Sequence, residues 1–140
     1  MAPAVRPGEP GDVESCIAIY QAAAPICFPW LPPESFVAED VHAALREEEL
    51  WVVEDRSGIA GFVSIYLPAR FVHNLYVDPA KHRQGIGRAL LSWALLRCGG
   101  HAELKCQEAN RRAAQFYWSL GWRPVDWGWS DAGAWIRYRY

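Results

Sequence analysis

The chain predicts an α/β fold: a sheet of irregular strand order accompanied by helices, in the sequence βααβββαβαββ. Three observations carry this expectation. Apolar spacing is helical in the first third and then gives way to β-rich segments. Three such segments follow one another, the first two separated only by "RSG". Beyond them, two helical patterns each open on a start signal, glycines in "HRQGIGRALL" and an asparagine in "NRRAAQFYWSLG".

"AVR" around Val5 makes a short first strand. "GDVESCIAIYQAAA" places Val13, Ile17 and Tyr20 at helical spacing behind a capping Asp12. "PICFPWLPP" is expected to be an irregular, aromatic-bearing loop, because Pro25, Pro29, Pro32 and Pro33 remove donors and fix the backbone. A second helix is expected over residues 34–48. "ELWVVED" and "GIAGFVSIYL" form an antiparallel hairpin, and "RFVHNLYVD" is a third strand stopped by Asp78-Pro79. A helix runs from the glycine loop to Cys98, and "HAELKCQ" is the next strand. "NRRAAQFYWSLG" is a helix with Asn110 at its N-cap and Gly121 at its stop, and "WRPVDWGW" with "AWIRYRY" closes the chain as a hairpin.

With 140 residues, 51% hydrophobic and 21% charged, the chain reads as one soluble globular domain over residues 1–140. The net charge is −2 and the lysines and arginines are scattered, so the basic stripe that nucleic acid requires is missing. No apolar run reaches the roughly 18 residues of a membrane span, and "MAPAVRPGEPGD" lacks the hydrophobic centre of a signal peptide. Cys16, Cys27, Cys98 and Cys106 show neither C-x-x-C spacing nor histidine partners. Free thiols in a reducing cytoplasm, and no metal, are the expectation.

Glycine costs about 0.5–1 kcal/mol against alanine in regular structure, so Gly85 and Gly87 at a helix start call for an explanation. The lysine of a G-x-x-x-x-G-K-[ST] loop is absent, and Leu90 stands where a dinucleotide fingerprint needs its third glycine. An anion cradle remains, in which the amides of residues 83–88 meet a phosphate at the helix N-terminus. A tight strand-to-helix turn accounts for the glycines equally well.

With its flanks, this stretch resembles the GNAT acetyltransferase superfamily. "LYVDPAKHRQGIGRALLSWA" looks like the family's acetyl-CoA motif, a strand and turn followed by R/Q-x-x-G-x-G/A and a helix. "NRRAAQFYWSLGW" looks like N-x-x-A-x-x-F-Y-x-x-x-G-F, with Asn110, Ala113, Phe116, Tyr117 and Gly121 in register and Trp122 replacing the last Phe. The likeness is good over residues 50–122, and His82 departs from the Arg or Gln that opens the loop motif. It implies a mixed, mostly antiparallel twisted sheet flanked by helices, with acetyl-CoA as co-substrate and an N-acetyltransferase activity. By the same resemblance, Leu75, Tyr76 and Val77 offer main-chain groups to the pantetheine arm. Arg83, Gln84, Gly85, Ile86, Gly87 and Arg88 hold the pyrophosphate, and Asn110 contacts the cofactor. Leu75 and Val77 also suit a core strand, and Asn110 suits an N-cap without any ligand.

Acetyl transfer to an amine needs a neutral acceptor and a stabilised departing thiolate. An alkylammonium has a pKa of about 10.4, a phenol about 10 and a thiol about 8.5. A tyrosine is therefore suited to hydrogen-bond or protonate the leaving sulfur, and Tyr117 occupies the family's position for that acid. Simple packing with Ala113 and Leu120 is the competing reading. For the base, strand alternation puts Phe71, His73, Leu75 and Val77 on one face, which aims His73 at the thioester. Glu54, Glu103, Glu108 or a water are the alternatives, while Cys106 has no histidine placed to activate it as a nucleophile.

The acceptor, a small-molecule amine or a protein amine, is not specified by fold. Phe28, Trp30, Trp127, Trp129 and Trp135 are candidates for an aromatic acceptor pocket, with Asp126 or Asp131 to anchor a cation. Equally, the tryptophans suit a core or a homodimer interface. A non-catalytic acyl-CoA-binding module and a tryptophan-rich interaction protein are the readings from other classes, and the retained Tyr117 argues against both.

Overall fold

The computed structural model describes residues 2–140. Seven strands form one sheet: β1 (Val5–Pro7), β2 (Glu49–Asp55), β3 (Gly58–Tyr66), β4 (Phe71–Val77), β5 (Glu103–Gln107), β6 (Arg123–Ser130) and β7 (Gly133–Arg139). Four α-helices accompany it: α1 (Val13–Cys27), α2 (Ala38–Leu45), α3 (Ile86–Arg97) and α4 (Arg111–Ser119). The spatial order is β1-β2-β3-β4-β5-β7-β6. Every neighbouring pair is antiparallel except β4 with β5. Apart from short 3₁₀ turns, the chain order of elements is the one the sequence predicts.

Alternation along the strands divides the core between two faces. Val52 and Phe62, paired across β2 and β3, join Ile17, Tyr20 and Val41 under α1 and α2. Their neighbours Val53 and Val63 turn the other way and pack with Leu90, Leu91, Leu104 and Trp122 under α3 and α4. The start of α3 sits directly on β3 at Gly61. A Cβ there would meet Ile86 Cγ2 at 2.9 Å and the Tyr76 carbonyl oxygen at 3.1 Å. Gly61→Ala is therefore expected to destabilise by about 1–3 kcal/mol through overpacking, read by urea unfolding. An unchanged midpoint would show that α3 lifts off β3 without cost.

Three local expectations need correction. α1 does not stop before Pro25 but runs through it to Cys27. The missing amide forfeits one bond, to the carbonyl of Gln21, which lies on the solvent side, and Ala23 and Ala24 keep this last turn buried. Asp12 precedes α1 without capping it by its side chain. Its carboxylate is instead taken by Arg6 (2.9 Å) and the Glu9 amide (2.8 Å). α2 is shorter than residues 34–48, because Val37 stays extended and the Asp40 carboxylate accepts from its amide at 3.1 Å, setting the start at Ala38. The same carboxylate accepts from the Tyr20 hydroxyl at 2.6 Å, which ties α2 to α1.

Among the described residues, no helix is long and apolar enough to cross a membrane, and the four cysteines are free.

Candidate active site

β4 and β5 run parallel and pair only at Phe71↔Glu103 and Val72↔Leu104. Beyond Val72 the two strands separate, and the edge of β4 that faces β5 runs on past Leu75, Tyr76 and Val77 without a ladder partner. An unpaired backbone edge is a row of donors and acceptors prepared for another extended chain. Here it is an internal edge, framed on both sides by the sheet.

At the C-terminal end of β4 the chain enters the glycine loop. Asp78 donates its amide to Ala60 O at 2.8 Å and accepts from the Ala80 amide at 3.0 Å. Lys81 reaches Asp55 and Ser57 of the β2–β3 turn at 2.8 and 2.7 Å, and this ammonium holds the Asp55 carboxyl down at about 2. The loop then turns through two left-handed residues, Arg83 (φ 65°) and Gly85 (φ 78°), and only at the second is the glycine needed for its backbone. The first helical bond is donated by Ala89 to Gly85 O at 3.0 Å. The amides of Ile86, Gly87 and Arg88 are thus left without helical acceptors at the positive end of a twelve-residue helix. A Cβ at Gly87 would lie in ordinary contact with Val77 (3.6 Å) and Phe116 (3.8 Å), so this position joins the end of β4 to α4. Arg83 and Arg88 are exposed and form no ion pair among the described residues.

α4 brings Asn110 and Tyr117. Asn110 is the N-cap, accepting from the Ala113 amide at 3.2 Å. Tyr117 stacks against Phe116, Trp122 and Tyr138, with centroids 5.5, 6.5 and 6.0 Å away. Burial is the main influence on its phenol and pushes it well above the ordinary range, with Cys106, Tyr76 and Cys27 near enough to add to the effect. The hydroxyl has no hydrogen-bond partner among the described residues. Burial likewise pushes the Cys106 thiol up to about 12, which leaves it protonated at neutral pH and a poor nucleophile.

The face predicted for His73 is corrected by the register. Ser64 pairs with Asn74 and Ile65 with Val72, so His73 is one extra residue, a β-bulge in β4 directly beyond its last pair with β5. The bulge breaks the alternation. Leu75 and Val77 pack under α3, whereas Tyr76 packs under α1. His73 joins a polar group beside Ser64 and Asn74. Its Nδ1 lies 2.7 Å from Glu48 Oε2, Ser64 Oγ donates to Glu48 Oε1 at 2.7 Å, and Asn74 Nδ2 donates to Ser64 Oγ at 2.9 Å. Glu48 was not singled out by sequence, since it sits in the run "REEEL" where only the fold distinguishes one glutamate from its neighbours. Of the alternative bases, Glu54 pairs with Arg6 at 3.3 Å and Glu103 with Arg139 at 2.6 Å. Glu108 lines a cavity.

That cavity, of about 460 Å³, opens at the end of β5 between Trp30, Gln107, Glu108, Arg111 and Trp129. The Trp30 indole donates to Ala132 O at 2.9 Å, which ties the end of α1 to the β6–β7 turn across the separated strands. The other predicted pocket residues are placed elsewhere. Phe28 meets Trp30 edge to face with centroids 5.7 Å apart, Trp135 lies under Lys105, and Trp127 is exposed. Asp126 is paired with Arg137 at 3.0 Å. The carboxylate at the cavity is Glu108, not Asp126 or Asp131.

A family description of an acetyltransferase (GNAT) domain matches residues 46–124, which span β2 to β6 and hold the separated strands, the amide cradle and Tyr117. The chain belongs to the GNAT acetyltransferase family. The peptidyl-lysine N-acetyltransferase YiaC of Escherichia coli is 36% identical over 89 residues, 64% of this chain and 60% of that protein. A GCN5-related N-acetyltransferase structure from Rhodopseudomonas palustris superposes with a TM-score of 0.83 at 18% identity, covering 99% of this chain and 95% of the other. The PaiA N-acetyltransferase of Thermoplasma acidophilum, crystallised in complex with coenzyme A, gives 0.81 at 17% identity with both chains fully covered. These two structures share the fold of this GNAT-family chain.

Proposed function

We propose that this GNAT protein is an acetyl-CoA-dependent N-acetyltransferase that moves the acetyl group directly to a primary amine of the lysine side-chain class. The observation that carries the reading is the parting of β4 from β5 beyond Val72, with an amide cradle at one end and an unpartnered tyrosine hydroxyl on α4. Its fit to a coenzyme A arm is chemical. The free edge at Leu75, Tyr76 and Val77 matches the amides of pantetheine. The amides of residues 85–88, with Arg83 and Arg88, match a pyrophosphate. The coenzyme A complex of the PaiA relative and the lysine substrates named for YiaC support the reading.

Acetyl-CoA supplies a thioester whose acyl carbon is open to attack by an amine. On this chain, His73 accepts the proton of the acceptor from the α1–α2 face. Tyr117 donates a hydrogen bond to the departing sulfur from the α4 side, so base and acid act across the gap from opposite faces. A buried phenol is a weak acid, but burial raises a neighbouring thiol as well, as at Cys106. Trp30 and Trp129 flank the aliphatic stem of the acceptor, and Glu108 attracts its charge.

Free-thiol release from acetyl-CoA should be fastest with lysine-containing peptides in a panel that also holds N-terminal alanine peptides and polyamines. Trp129→Ala should raise KM for the peptide about tenfold, the scale of a lost cation–π and stem contact, without changing KM for acetyl-CoA. Equal rates across the panel would remove the lysine assignment. Coenzyme A binding without any amine-dependent release would leave an acyl-CoA-binding module.

A further inference from the structure

We propose that Glu48 is the positioning residue for His73, holding the imidazole by Nδ1 so that Nε2 is the atom that accepts the proton. The inference rests on the reading of His73 as the base. It starts from an asymmetry: the His73 side chain is 49% exposed and that of Glu48 only 10%. An ordinary surface ion pair has two mobile ends and contributes little. Here the carboxylate end is anchored. Glu48 Oε1 accepts from Ser64, a fully buried serine that in turn accepts from Asn74, and the Glu48 amide donates to Ala44 O at 3.1 Å.

A carboxylate only accepts hydrogen bonds. The imidazole nitrogen that faces it, 2.7 Å from Oε2 and 3.0 Å from Oε1, must therefore carry the hydrogen. In a neutral ring the lone pair then belongs to Nε2, which has no hydrogen-bond partner among the described residues. The bulge places this ring where β4 leaves β5. Its remaining neighbours do not supply a competing charge: Asn74 Nδ2 stands 3.5 Å from Nδ1, and the Phe71 ring centroid is 6.4 Å away.

The test pairs a spectrum with kinetics. Long-range ¹⁵N–¹H correlation on protein labelled at histidine nitrogen should show neutral His73 as the Nδ1–H tautomer. Glu48→Gln, whose amide donates as well as accepts, should mix or reverse the tautomers. It should also lower kcat about tenfold or more, part of the about 10²–10⁴ that general acid–base catalysis contributes, with KM for acetyl-CoA unchanged. Combined with His73→Gln, Glu48→Gln should cost nothing further. Ser64→Ala, which frees the carboxylate but keeps its charge, should move both readouts the same way by less. An unaltered tautomer in Glu48→Gln, or rate losses that simply add in the double variant, would overturn the proposal. A wild-type kcat in His73→Gln overturns the base reading alone, because the spectrum reports the hold of Glu48 on the ring without any turnover.

Discussion

Tyr117→Phe is expected to lower kcat by about 10²–10⁴-fold, the usual contribution of a general acid, with coenzyme A affinity nearly intact. The ring packs against Phe116, Trp122 and Tyr138, and phenylalanine keeps all three contacts. The hydroxyl bonds to no other group among the described residues, so its removal orphans no partner there and a loss of stability is not expected. What disappears is the donor that the proposed mechanism directs at the departing sulfur. Single-turnover measurement with a saturating lysine peptide isolates the chemical step. An unchanged rate under those conditions would return Tyr117 to packing alone.

Coenzyme A is expected to raise the melting temperature, because a ligand bound only by the native state adds about 2.7 kcal/mol at a hundredfold excess over Kd. For a chain of this size that is a shift of about 8–12 °C. Gly87→Glu should abolish the shift. Its side chain takes up space beside Val77 and Phe116 and its charge would repel a pyrophosphate at the free amides, while at a helix N-terminus the same charge is favourable for the unliganded fold. Gly87→Ala is the matched control. Its Cβ reaches Val77 and Phe116 only at contact distance, so both the fold and the shift should survive. Differential scanning fluorimetry of the three proteins with coenzyme A, and with adenosine lacking the diphosphate, reads the outcome. Normal binding by Gly87→Glu would place the pyrophosphate elsewhere.

Much of this arrangement is local and therefore legible in the chain. The hairpin at "RSG", the stop at Asp78-Pro79, the N-cap at Asn110 and the left-handed Gly121 at the end of α4 each depend on residues within a few positions of one another. The glycine loop belongs to the same class, because free amides at a helix start follow from the helix itself. Pro25 shows where local rules mislead. A proline forbids one hydrogen bond, and the buried turn around Ala23 and Ala24 outweighs it.

What the sequence by itself determined is the order of elements, the glycine turn that opens α3 and the family to which they belong. Tertiary structure alone decided which side chains meet. Strand period predicts a face only while the register is unbroken, and one extra residue at His73 turns it from the face of Leu75 and Val77 toward Glu48. Glu48, Ser64, Asn74 and His73 come together from two strands and the segment after α2, and Trp30 meets Ala132 from opposite ends of the chain. Such contacts arise from the way separate elements pack across the parted strands. No short stretch contains them, because no short stretch contains both partners.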